Sequence, residues 1–310
     1  MTTMGADDAS AEAFSPRSLS RLSAAPFFVL NGTALILILA FSVLPVFYVA
    51  YLSTLDIKPG ELVGHFVGFS NYSFVMESPS IGVTFRNTLL FSTCSVVLAV
   101  TIGAAIAFLM DSKIRFRFVL MAAVVLPWAV PEVVNALVWK WIFDYHWGAL
   151  NAFLKAIGVI STYHPWLSDA TTAIYCLIFA YSWKLVPFVV VIIYAALRAI
   201  PEELVESGQV DGATAAGVLW HIRLPLVTPA VVVATIFCVI FSMRAFDLVY
   251  LLTKGGPGDA TSVLSYYTYV TTFEFGDVGA GSAVSVMLAV ATLAATVVYW
   301  RLSARLEQEW

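Results

Sequence analysis

The chain has 310 residues, of which 60% are hydrophobic and only 12% charged, and its mean hydropathy is +0.88. That composition excludes a soluble globular domain and reads as a polytopic membrane protein. A net charge of −4, with basic residues scattered along the chain, leaves no patch suited to nucleic acid.

Residues 1–26 are polar, carry Asp7, Asp8, Glu12, Arg17 and Arg21, and show no signal-peptide pattern before the first apolar run. They are expected to form a short, disordered cytoplasmic tail. A hydrocarbon core of about 30 Å needs about 20 helical residues, and six runs are long enough. They lie near 27–52, 85–109, 118–142, 171–197, 226–251 and 280–301. The expected fold is therefore all-α, a six-helix transmembrane domain over 27–302 with a second cytoplasmic tail at 303–310. Cys94, Cys176 and Cys238 fall in three different runs and read as buried free thiols rather than a disulfide frame.

Orientation follows from Lys and Arg. Arg17, Arg21, Lys113, Arg115, Arg117, Arg198, Arg223, Arg301 and Arg305 fall on one side, while Lys58, Lys155 and Lys254 lie in the opposite loops. The excess marks the cytoplasmic side, so both termini are expected there. Trp139, Trp141, Trp147 and Trp166 then gather at the outer ends of the third and fourth spans, as an interfacial belt should.

Pro45 sits near the outer end of the first span, and Phe69 to Met76 reads as a small interfacial helix. The second span is rich in small residues (Gly103, Ala104, Ala105, Ala107), which let helices approach closely. In the third, Pro127 and Pro131 free backbone carbonyls and kink the helix beside Glu132. Glu132 is open to two readings: a pathway or gating acid, or a buried group bonded to the broken backbone. The fourth span holds Lys184 and Pro187 and runs directly into Arg198-Ala199-Ile200-Pro201.

Pro201 to Pro225 is the longest hydrophilic interval between two apolar runs. Pro201 followed by Glu202, Glu203 and Glu206 is a helix start, with acids at the positive end of the dipole. Asp211-Gly212 breaks that helix, and Asp211 is expected to cap a second one over Ala213 to Trp220. Leu204, Val205, Val218, Leu219 and Ile222 give the pair an apolar side, making a helical knuckle suited to docking.

At these residues the chain resembles the membrane subunits of bacterial ABC importers. Their cytoplasmic-loop pattern, Glu-Ala-Ala, Gly, Ile, Leu-Pro, is met at fixed spacing by Glu206-Ser207-Gly208, Gly212, Ile222, Leu224 and Pro225. The departure is Ser207-Gly208 where the family has two alanines; Gly208 lowers helix propensity by roughly 1 kcal/mol, so the first coupling helix is expected to be weaker or shorter than in relatives. The resemblance implies that Glu206, Asp211, Gly212, Ile222, Leu224 and Pro225 couple to an ATPase.

The fifth span carries Arg244 and Asp247, three apart and suited to an intrahelical pair. Phe246-Asp247, Tyr250 and Thr253-Lys254-Gly255-Gly256-Pro257 are similar to the carbohydrate-uptake branch of these permeases, specifically the first of two paired subunits of the maltose and glycerol-phosphate type. That branch implies a sugar pathway at Tyr181, Lys184, Leu185, Phe188, Cys238, Ser242 and Ala245. Lys184 has two readings: a partner of Asp247 or Glu132 within the bundle, or, with Arg244, a ligand for an anionic sugar derivative. The resemblance also implies a second homologous permease, two ATPase subunits that carry ATP and Mg, an extracytoplasmic sugar-binding protein, and a multi-pass place in a bacterial plasma membrane.

No Lys follows a Gly, so the phosphate-cradling P-loop is absent and the chain reads as a transporter subunit, not an enzyme. No cofactor is expected on it. His65, His146, His164 and His221 are isolated from one another, which argues against a metal site. The rivals are a permease of the same kind for a polyol, amino acid or peptide, and a stand-alone secondary transporter. The latter usually repeats its broken helices in two halves, a repeat not seen here.

Overall fold

The computed structural model describes residues 24–57, 64–112 and 115–307. The expected N-terminal tail as far as residue 23, together with Lys58, Lys113 and residues 308–310, lies outside them. The chain divides into two compact units, Met1–Val49 and Ala50–Trp310.

In the first unit, α1 (Ala24–Ile38) passes through a π-helical turn, Leu39–Val43, into α2 (Leu44–Leu52), whose last three residues belong to the second unit. Leu44 N–H bonds to the Leu39 carbonyl, one residue further back than in an α-helix. This wide turn stands directly before Pro45, which has no N–H for the ladder. Phe41 and Phe47 are among its many exposed apolar side chains.

The second unit is helical as expected apart from one short ladder at its start. β1 (Leu55–Asp56) and β2 (His65–Phe66) form a two-residue antiparallel ladder with Leu55 opposite Phe66. The expected interfacial helix is α3 (Ser70–Glu77), tied down by Asn71 Nδ2 donating to the carbonyls of Ser53 (2.9 Å) and Leu55 (2.8 Å). α4 (Pro79–Asp111) follows, longer at both ends than its apolar run.

The centre of the unit is α4 against α8 (Ala173–Ala199). They lie close together at Gly103, where an added Cβ would stand 2.7 Å from Val189 Cβ and 3.3 Å from the Val186 carbonyl. Phe91, Val96, Ala99, Ala107 and Met110 of α4 join Leu177, Val189, Val190 and Ile193 of α8 in the main core. α11 (Leu224–Met243) packs on both, and α14 (Val278–Glu307) packs on α11 and α3. α14 continues through residues 303–307, where a tail was expected. A smaller core joins Val75, Ile81, Leu264, Ala280 and Val284.

Two spans are broken. The third comprises α5 (Arg117–Ala129) and α6 (Glu132–Ile142), which meet at 98° rather than at a modest kink. Val130 is extended (ψ 129°) and Pro131 heads the second half-helix. Among the described residues, five helices are therefore long and apolar enough to cross a membrane, six if this bent pair counts as one span. The fifth span was expected to run through residue 251. Instead α11 ends at Met243 and a separate helix follows after Phe246, numbered below.

Between the spans lie α7 (Ala149–Ala156) and, past α8, the short helices α9 (Glu202–Val210) and α10 (Ala215–Val218). Beyond the break at Arg244 come α12 (Asp247–Leu252) and α13 (Leu264–Tyr269), the latter closed by a π-helical turn at Val270–Glu274. Trp139 is not part of an interfacial belt: it is buried, stacked on Phe143 at 5.2 Å and edge-on to Phe179 and Trp183. Trp141 and Trp147 are exposed as expected.

Candidate functional site

The bend in the third span and the break in the fifth face one cavity of about 390 Å³. Trp128, Glu132, Tyr181, Lys184, Leu185, Phe188, Phe241 and Arg244 line it. Four of the residues expected on the pathway, Tyr181, Lys184, Leu185 and Phe188, come together there from one face of α8. The other three do not. Cys238, Ser242 and Ala245 are buried in the packed interior, and Ser242 Oγ is hydrogen-bonded to Ser92 Oγ of α4 at 2.5 Å. The wall supplied by the fifth span is instead Phe241 and Arg244, one helical step round from the expected face.

Lys184 is committed to the bend. Its Nζ donates to the Val130 carbonyl at 2.6 Å and lies 3.4 Å from Glu132 Oε1. The expected partner Glu132 is thus found, and Asp247 is not. Glu132 does not itself bond the broken backbone; Lys184 does so, while Glu132 sits in the first turn of α6, where the dipole favours an acid. Glu132 Oε2 and both side-chain polar atoms of Asn135, one turn on, are buried without a partner.

The Arg244–Asp247 pair is not formed. Three-residue spacing brings side chains together only along a continuous helix, and the helix ends at Met243, with Arg244 at φ −100°, ψ 6°. Both residues are exposed, and no ion pair joins them among the described residues. Opposite them, the Tyr181 hydroxyl donates to the Phe241 carbonyl at 2.8 Å, bracing α8 against the end of α11. Phe188 stands edge-on to Phe237 and Phe241 at 5.8 and 5.6 Å, so the wall is aromatic on one side and charged on the other.

The segment expected to dock an ATPase, residues 201–225, is the second element. Pro201 caps α9, whose first turn holds Glu202 and Glu203. The helix runs through Gly208 without a break, and Gly208 lies beside the flexible end of the Ile222 side chain. An added Cβ on Gly208 would stand 2.6 Å from Ile222 Cδ1. Asp211 closes α9 instead of capping the next helix: its N–H bonds back to Gln209 and Ser207. Gly212 then takes φ +87°, a conformation open to glycine and costly for other residues. Thr214, overlooked in the sequence, is the cap of α10, its Oγ1 accepting from Gly217 N–H at 3.2 Å.

α10 does not end as a separate helix. A π-helical turn, Leu219–Arg223, carries it into α11, so residues 215–243 are continuously helical. Ile222 lies in this turn and Leu224-Pro225 open α11, where a proline is tolerated. Glu206, Asp211, Leu204, Val210 and Trp220 are exposed, presenting acids and apolar side chains on the same knuckle.

A fully satisfied, buried Asn151 pins the connection between α7 and α8. It accepts from His164 N–H (3.0 Å) and Trp166 Nε1 (2.9 Å) and donates to the carbonyls of Asp144 (3.2 Å) and His164 (3.0 Å). Asp169 organises the turn just before α8, its Oδ1 accepting from the N–H groups of Thr171 (2.7 Å) and Thr172 (3.2 Å). The N–H groups of Thr171 and Thr172 hold its carboxyl below the ordinary carboxylate range.

The chain is matched over residues 97–308 by the family described as binding-protein-dependent transport system inner membrane component. It is 34% identical to the trehalose/maltose transport system permease protein MalF of Thermococcus litoralis, over 86% of this chain and 89% of that protein. It is 32% identical to the sulfoquinovosyl glycerol transport system permease protein SmoG of Agrobacterium fabrum, over 92% and 90%. A chain of the bacterial alginate ABC transporter, solved with an alginate pentasaccharide-bound periplasmic protein, shares the fold. Its TM-score is 0.79 at 21% identity, covering 94% of this chain and 97% of that one. The chain belongs to the binding-protein-dependent transport system inner membrane components, as a membrane permease subunit of an ABC importer.

Proposed function

We propose that this permease carries a small carbohydrate, working as one of two paired permeases with two ATPase subunits and an extracytoplasmic sugar-binding protein. The observation that carries the reading is the cavity at the two helix breaks. Trp128, Tyr181, Phe188 and Phe241 offer faces for a sugar ring, and Glu132, Lys184 and Arg244 offer groups for its hydroxyls. The names of the relatives, a trehalose/maltose permease and a sulfoquinovosyl glycerol permease, support the same class.

In this reading both termini and α9–α10 are cytoplasmic, and ATP and Mg bind the partner ATPase. Closure of the ATPase dimer pushes the knuckle. Because α10 is continuous with α11, and α9 joins α8 through Ile200-Pro201 alone, the push reaches both walls of the cavity. The cavity then alternates between the two sides of the membrane. Lys184 is held by Val130 and Glu132, so Arg244, exposed on the wall, is the cation left to receive an acidic substituent on the sugar.

The test is uptake by proteoliposomes holding the complete assembly, using neutral and acidic mono- and disaccharides presented with the binding protein. ATP-dependent uptake of at least one sugar is expected. Uptake of amino acids, peptides or polyols alone would replace the substrate class, and uptake independent of ATP would remove the importer reading.

A further inference from the structure

The last residue of α4, Asp111, has a side chain only 8% exposed, and its carboxylate meets two arginines. Arg223 Nη1 lies 2.7 Å from Oδ2, and Arg198 Nη1 lies 4.0 Å from Oδ1. An acid at a helix C-terminus opposes the dipole, and burial removes its water. The stability of α4 therefore gives no reason for an acid here; the two guanidiniums do. Arg198 is in the last turn of α8, just before Pro201 opens the docking segment, and Arg223 ends the turn by which that segment enters α11. One carboxylate thus holds both roots of the knuckle from a third helix that contributes no residue to it.

We propose that Asp111 is a positioning residue for energy coupling, a charge clasp that makes α4 move with both ends of the docking segment. α4 is long enough to carry that movement to the cavity. At 1.5 Å per residue, Ser92 lies roughly 28 Å up the helix, and its hydroxyl bonds Ser242, two residues before the break that exposes Arg244. Along the way Gly103 lets α4 lie directly on Val189 of α8. A displacement at the knuckle then reaches the cavity along α8, α11 and α4 together. With the clasp open, no ion pair ties α4 to the docking segment, which is then free to follow the ATPase without taking the cavity with it. This rests on the reading of α9–α10 as the ATPase-facing element.

The experiment uses the complete reconstituted assembly and reads ATP hydrolysis and sugar uptake separately. The variants are Asp111→Asn, Asp111→Glu, Arg223→Gln, and the exchange Asp111→Arg with Arg223→Asp. Asp111→Asn is expected to keep ATP hydrolysis while sugar moved per ATP falls about tenfold, a coupling loss within the usual range. Asp111→Glu recovers a substantial part of it, and the exchange a smaller part, because it restores the arm to position 223 but sets two guanidiniums against each other at position 198. Should Asp111→Asn fail to assemble, Arg223→Gln, which opens only the shorter arm, gives the same reading. Uptake per ATP unchanged in Asp111→Asn and Arg223→Gln overturns the clasp. So does a parallel loss of hydrolysis and uptake that neither Glu nor the exchange repairs, which is the mark of a merely structural pair. Gly212→Pro in the same preparation separates the two ideas: if it too leaves coupling intact, the docking reading fails; if it alone uncouples, only the clasp fails.

Discussion

Lys184 Nζ stands 3.4 Å from Glu132 Oε1 while donating to the Val130 carbonyl at 2.6 Å, so one ammonium from α8 closes the 98° bend of the third span. In a membrane a bare carbonyl at such a bend has no water to turn to. Lys184 supplies the missing donor, and Glu132 balances its charge. The bend, in turn, creates one wall of the cavity.

Lys184→Met leaves the Val130 carbonyl and Glu132 without their partner, at a cost of about 1–3 kcal/mol. The lower half is expected, because Glu132 is 35% exposed and its charge is partly screened. Adding Glu132→Gln removes the stranded charge and recovers part of the loss. Thermal unfolding of the detergent-solubilised assembly measures both steps; an unchanged midpoint for Lys184→Met would show that the bend does not depend on the lysine.

Arg244→Met tests the cavity wall. Uptake of an acidic sugar is expected to fall about tenfold or more in kcat/KM, with a smaller loss for neutral sugars and basal ATP hydrolysis retained. Equal losses for acidic and neutral sugars would assign Arg244 to the structure of the break instead.

Gly103→Ala forces α4 away from Val189, an overpacking cost of about 1–3 kcal/mol that exceeds the gain in helix propensity of about 1 kcal/mol. Combining it with Val189→Ala makes room and restores part of the stability. The check is the melting midpoint of the three variants; additive losses would mean that the two positions do not touch.

Gly208→Ala has the opposite balance. The helix gains about 1 kcal/mol, and the obstruction is Ile222 Cδ1, the mobile end of a side chain. Coupling is expected to survive this change and to fail in Gly208→Phe, which must expel Ile222 from the knuckle. ATPase stimulation by loaded binding protein distinguishes them, and failure of the alanine variant would mean that Ile222 cannot move.

The spans were legible because a lipid core leaves the sequence little choice: about 20 apolar residues must be helical. The knuckle was legible because Pro201, the glutamates and Gly212 are local signals. What escaped was direction. Pro127 and Pro131 announce a lost N–H but do not say whether the chain bends by a few degrees or by 98°. The break at Arg244–Phe246 contains neither Pro nor Gly, so nothing in the sequence marked it, and the face assigned to the cavity was Cys238, Ser242 and Ala245 instead of Phe241 and Arg244. Asp111 and its arginines are far apart in sequence, and an acid at the end of an apolar run reads as an ordinary loop charge until the fold brings Arg198 and Arg223 to it. Thr214 was passed over for Asp211 because the φ +87° of Gly212, which adds a turn between them, is not written in the residue types.

The most direct measurement is binding-protein-stimulated ATP hydrolysis and uptake in the reconstituted assembly, wild type against Gly212→Pro. Proline is fixed near φ −65°, whereas Gly212 sits at +87° and its N–H bonds to Gln209, so the substitution breaks the turn between α9 and α10 and little else. The expected result is an assembly that copurifies intact and hydrolyses ATP at its basal rate, but loses stimulation by the binding protein and loses uptake. Full ATP-driven uptake in Gly212→Pro would contradict the assignment of α9–α10 as the coupling element.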